Sequence, residues 1–201
     1  TKNEIYNIFK LNSPILLCLY ENEIISYDQI SKSHVFLFGN YFLAEKIEHE
    51  GILEPMPFFA NEMEIYYQNH LDEYIQYRKE YHSESDIAKI IRNDDIESFT
   101  DLIGHANIPL DSKIPPSLFE SDVNLAHNMC SLIEYAAAFG SLNIFKFLYC
   151  QLQSFPQMIF HASIIGGNPE IIHLLEEKGY KPNIGILYET IVNHRNDIFE
   201  Y

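Results

Sequence analysis

At 201 residues, 47% of them hydrophobic, the chain is long enough to bury a core in one or two domains. Its 13 Lys and Arg stand against 29 Asp and Glu, a formal charge of −16 with no basic stripe, which argues against nucleic-acid and anionic-membrane binding. No leader-like segment opens the chain, and its longest apolar run, Ile15 to Tyr20, is far short of the roughly 20 residues that cross a bilayer.

Residues 1–30 read as a small helical hairpin. Pro14 follows Asn12-Ser13 as a start signal, and Ile15, Leu16, Leu17, Leu19 and Tyr20 supply a buried face. Glu21-Asn-Glu23 ends that helix, and Ser26-Tyr-Asp-Gln29 caps another turn. Val35-Phe-Leu-Phe38 suits a strand, but Tyr41, Phe42, Ala44 and Ile47 continue at helical spacing, so helix is expected for both. Glu54-Pro-Met-Pro57 breaks the chain, because two prolines oppose helix on both sides. Phe58 and Phe59 then enter the core, and 62–81 reads as one long amphipathic helix with tyrosine tips in water. His82-Ser-Glu-Ser85 separates this all-helical N-terminal region, 1–82, from the remainder of the chain.

From Asp86 onward a unit recurs. In 131–149 two short helices flank a turn at Gly140-Ser141, with Ile133, Ala136 and Ala137 forming a small-residue face on the first and Ile144, Phe145, Phe147 and Leu148 a bulkier one on the second. Shifted by 27 residues, Gly140 falls on Gly167 and then on His194, while Ile144 falls on Ile171 and Ile198. The first helices keep step as Ile133, Phe160 and Leu187, with Ala136, Ser163 and Thr190. An earlier copy aligns Ile96 with Ile144 and Phe99 with Phe147, a spacing of 48, which leaves about 21 extra residues before the next copy. The copies are expected at about 86–103, 131–150, 158–178 and 185–201, with an insert at about 104–130 stiffened by Pro115-Pro116.

These residues resemble the ankyrin repeat. Ala136-Ala137, Gly140 and the helix after it match that pattern, and Leu174-Leu175-Glu-Glu-Lys-Gly179-Tyr-Lys-Pro-Asn183 is similar to its exit turn. The Thr-Pro-Leu-His start survives only as Ser131 and His161, and the short period implies a cut-back β-hairpin between copies. The sequence is most similar to the divergent, Ile/Asn/Phe/Tyr-rich ankyrin proteins of large protist families. The resemblance covers 83–201 and implies an all-α, ankyrin-type helical-hairpin solenoid behind an α-helical N-terminal region. It implies a non-catalytic protein–protein interaction module or scaffold with no cofactor, whose concave face and loops bind an unidentified protein. Its contact positions, the two before each turn, are Ala138-Phe139, Ile165-Gly166 and Val192-Asn193. Phe139, Ile165 and Val192 then form an apolar stripe, unless the N-terminal region or the insert covers it as core.

Motifs for other chemistry are absent. Cys18, Cys130 and Cys150 have no metal or redox spacing, and an odd count fits a reducing, cytoplasmic setting. The nine histidines form no zinc-protease pattern, and no nucleophile elbow, phosphate loop or dinucleotide motif occurs. The alternative reading is an enzyme or metal protein with a site between the N-terminal region and the repeats. Thr1 is not a methionine, and Tyr201 falls inside a repeat helix, so the chain is expected to be cut at both ends.

Overall fold

A computed structural model describes residues 1–10, 12–31, 41–51, 71–117, 119, 120, 125, 130–186, 190, 198 and 200. Among the described residues the fold is mostly helical and holds no strand; its single β-bridge joins Lys113 to Ser131. The chain divides into two compact units. The first takes residues 1–84 and 116–126, the second 85–115 and 127–201.

In the first unit, α1 (Lys2–Phe9) packs on α2 (Ser13–Glu21). Thr1 and Glu4 form a capping box at the start of α1, and Asn12 accepts the Ile15 N–H at the start of α2. Pro14 sits in the first turn, where its missing N–H costs no hydrogen bond. Leu16 and Leu17 join Ile25, Ile30, Tyr41 and Phe42 in one apolar cluster, with Leu19 and Tyr20 partly buried against it. Ile15, expected in that face, is 36% exposed, because the stripe runs through 13, 16, 17 and 20 and turns position 15 outward. Among the described residues two short helices come next, α3 (Tyr27–Ser31) and α4 (Leu43–Glu50), and they pack on each other. Ser26 begins α3 by donating its backbone N–H to Gln29.

A further helix of this unit, α5 (Leu71–Arg78), stops three residues short of the expected end. Lys79, Glu80 and Tyr81 each donate to the carbonyl three residues back, and Tyr81 then takes a positive φ of 62°, so the helix cannot continue. Nor are all its tyrosine tips in water. Tyr74 is fully buried, with its hydroxyl donating to the Tyr41 carbonyl at 2.7 Å. Arg78 is 4% exposed and binds Glu45 through two hydrogen bonds of 2.6 and 2.9 Å, stacked near the Tyr41 and Tyr74 rings. Burial works against the Arg78 charge, but the hydrogen bonds and charge of Glu45 outweigh it and hold the group above the ordinary arginine value. The expected elements at Val35–Phe38, Glu54–Pro57, Phe58, Phe59 and 62–70 lie outside the described residues.

Among its described residues the second unit holds three complete helical hairpins. They are α6 (Asp86–Arg92) with α7 (Ile96–Ala106), α8 (Leu132–Ala138) with α9 (Leu142–Gln151), and α10 (Ile159–Gly166) with α11 (Pro169–Glu177). First helices pack on first helices, α6 on α8 and α8 on α10. Second helices pack on second helices, α7 on α9 and α9 on α11. Gly140 and Gly167 have φ values of 66° and 68°, and the buried sets Ile144, Phe145, Leu148 and Ile171, Ile172, Leu175 are separated by the same 27 residues. Of the copy at 185–201, only Gly185, Ile186, Thr190, Ile198 and Glu200 are described. Ile186 and Thr190 are buried, as are Ile159 and Ser163 one period earlier.

The first hairpin corrects the alignment read from the sequence. Its positive-φ residue is Asp94, so Asp94 matches Gly140 at a spacing of 46. Phe99, fully buried, therefore matches Phe145, and the half-buried Ser98 takes the place of Ile144. Matching Ile96 to Ile144 placed the copy two residues out of step. In addition, α7 runs to Ala106, which removes 104–106 from the expected insert. After Asn107 the chain turns at Leu110-Asp111, where Ser112 N–H donates to the Pro109 carbonyl; Ile114 N–H then donates to the Cys130 carbonyl and Leu132 N–H to that of Ser112.

Candidate partner-binding face

The face begins at the ends of the first helices, just before each turn. Ser131 and Glu134 form a capping box that starts α8, whose residues Leu132, Ile133 and Tyr135 to Ala138 are all buried. Three successive alanines let the neighbouring helices approach α8 closely. Ala138 itself is 6% exposed, which leaves almost none of its methyl to offer.

Phe139 closes α8 and is half-buried. Its ring lies 4.6 Å from that of Tyr135, and the Arg92 guanidinium sits 5.9 Å from its centroid. Arg92 also donates to the Tyr135 hydroxyl at 2.9 Å. Ile165 is half-buried near the end of α10. Gly166, next to it, is a packing position, since a Cβ built there would lie 2.0 Å from the Ala137 carbonyl oxygen and 3.0 Å from the Ala138 carbonyl carbon. The structure thus brings Ala138 and Gly166 together as backbone contacts and leaves Phe139 and Ile165 as the side chains of the pair. Val192 and Asn193 lie outside the described residues.

Reading the sequence missed Arg92 and Tyr135. With Asp94 matched to Gly140, Arg92 falls two residues before its turn, in register with Ala138 and Ile165. The signal was the turn Asn93-Asp94-Asp95, whose residue types tolerate a left-handed conformation. Apolar matching outweighed it.

The turns themselves are joined from hairpin to hairpin. Asp94 accepts the backbone N–H groups of Asn143 and Ile144, each at 3.0 Å, and so caps the helix of the next hairpin. Ser141, left without that task, donates to the Ile91 carbonyl at 2.6 Å. Asn168 accepts from Glu170 within its own helix and donates to the Gly140 carbonyl at 3.0 Å. On the second-helix side, Lys146 reaches Glu170 at 2.8 Å and Tyr149 donates to the Leu174 carbonyl at 3.1 Å.

Among the described residues, no group of three or more His, Cys, Asp and Glu has the geometry to hold a metal ion. No helix among them is long and apolar enough to cross a membrane. Family models, curated proteins and solved structures gave no match to this chain.

Proposed function

We propose that the second unit is an ankyrin-type array of helical hairpins that binds a protein partner and performs no catalysis. In this reading the chain works as a cytoplasmic interaction module, and the partner meets Phe139 and Ile165, with Arg92 flanking them. The observation that carries it is the common turn. Asp94, Gly140 and Gly167 hold the same left-handed position, and each hairpin hydrogen-bonds the one before it. Stacked hairpins of this kind gain stability from nearest neighbours and present the loops and first helices as one continuous surface.

The test is the pair Phe139→Asp and Ile165→Asp in the full chain. Each side chain is half-buried, so each change is expected to cost about 1 kcal/mol, half the value of full burial. The double variant should keep its helical spectrum and lose partner capture. A folded double variant that still captures the partner removes these residues from the interface. Collapse of the fold instead makes the stripe core.

A further inference from the structure

Residues 116–126 group with the first unit, although the chain on both sides of them belongs to the second. Among the described residues of this segment, side chains make several of the contacts that hold it. Phe119 is fully buried, its ring 5.4 Å from that of Tyr74 and 5.5 Å from that of Tyr77. Next to it the Glu120 side chain, 4% exposed, lies 3.0 Å from His82 Nδ1 and accepts the Ser83 backbone N–H at 3.3 Å. Ser117 donates its hydroxyl to Glu84 and accepts the Phe119 N–H at 3.0 Å.

This is how a short linear peptide is usually held: an aromatic anchor in an apolar seat, with an adjacent charge fixed by a polar rim. We propose that Tyr74, Tyr77, His82 and Ser83 form a receptor site for a linear segment bearing Phe followed by Glu. The chain's own Phe119-Glu120 fills the site as a releasable strap. Two aromatic faces select the phenyl ring. The backbone N–H of Ser83 and the imidazole select a carboxylate one residue later. A tethered strap competes at an effective concentration on the order of millimolar. A partner segment of the same chemistry therefore enters only when the strap is weakened or the partner is abundant. This site is independent of the face on the second unit.

The experiment uses the full chain carrying Phe119→Ala and Glu120→Gln. The probe is a fluorescent peptide of residues 114–121, Ile-Pro-Pro-Ser-Leu-Phe-Glu-Ser, followed by anisotropy. The variant is expected to keep its helical spectrum and bind the peptide saturably, at least about tenfold more tightly than the unaltered chain, in which the strap competes. Adding His82→Ala should weaken that binding about tenfold, the effect of one hydrogen bond to a charged group. A peptide with Phe replaced by Ala should not bind. A folded variant that ignores the peptide overturns the proposal. An unfolded variant also overturns it, since the segment is then core and not a strap. Hydrogen exchange on the unaltered chain gives a second reading. The amides of Ser83 and Phe119 should exchange faster than those of Leu16 and Leu17, and exchange in step with them overturns the proposal as well.

Discussion

Gly166 and Gly104 are both helical glycines, and they make opposite predictions. At Gly166 a Cβ would strike the Ala137 carbonyl at 2.0 Å, and a backbone atom cannot swing aside. Gly166→Ala should therefore destabilise at the upper end of the roughly 1–3 kcal/mol seen for overpacking. At Gly104, within α7, a Cβ meets nothing within 4 Å, so Gly104→Ala should stabilise by about 0.5–1 kcal/mol. Thermal unfolding of the two variants should move in opposite directions. The buried pair Arg78 and Glu45 obeys a different logic. Arg78→Met strands a carboxylate whose side chain is 8% exposed, which should cost about 3–5 kcal/mol in a denaturant titration. Changing Glu45→Leu as well should restore most of that loss, because the cost lies in the orphaned charge and not in the missing attraction.

Helix ends carry the predictions at the level of elements. Asp94 supplies the cap of a helix 49 residues further on, so Asp94→Ala should cost about 1–2 kcal/mol and should loosen α9, not only its own hairpin. Exchange of the Asn143 and Ile144 amides is the direct measurement. Asp95 caps α7 by accepting from the Ser98 hydroxyl and backbone, and the hydroxyl bond does most to hold its carboxyl below the ordinary aspartate value. A carboxyl depressed by folding contributes stability that is fully present above its unfolded pKa and is lost as pH falls through the folded one. The contribution of this cap is therefore complete at neutral pH and fades below the ordinary aspartate value of about 3.9. An acid titration of melting temperature should show a shallower loss in Asp95→Asn, which keeps an acceptor and has no proton to take up.

For the molecule as a whole, charge makes the prediction. A formal charge of −16 sets like charges against one another in the folded state, and salt screens that repulsion over about 8 Å at physiological strength. The opposing effect is loss of surface ion pairs such as Lys146 with Glu170, whose side chains are 48% and 62% exposed. Pairs that open contribute about 0–1 kcal/mol. Repulsion should win, and the melting temperature should rise as salt is added from low ionic strength. A fall would mean that the ion pairs outweigh the net charge.

Much of the local structure is written in the residues themselves. Asn12 with Pro14, Ser131 with Glu134 and Asn168 with Pro169 start helices because their caps act within three residues. The 27-residue period is likewise legible, since apolar side chains must return to the same face in each hairpin. Other features came only from the folded chain. Whether Tyr74 shows its tip to water, and whether Arg78 is a surface cation, depends on Tyr41 and Glu45, more than thirty residues away. Among the candidate contact residues, Gly166 is spoken for by a carbonyl in the preceding hairpin. The register of the first hairpin turned on Asp94, whose side chain serves a helix in the next one. A sequence declares periodicity and caps, which are local. Burial and partnership are decided by what the tertiary fold brings alongside, and no spacing along the chain encodes that.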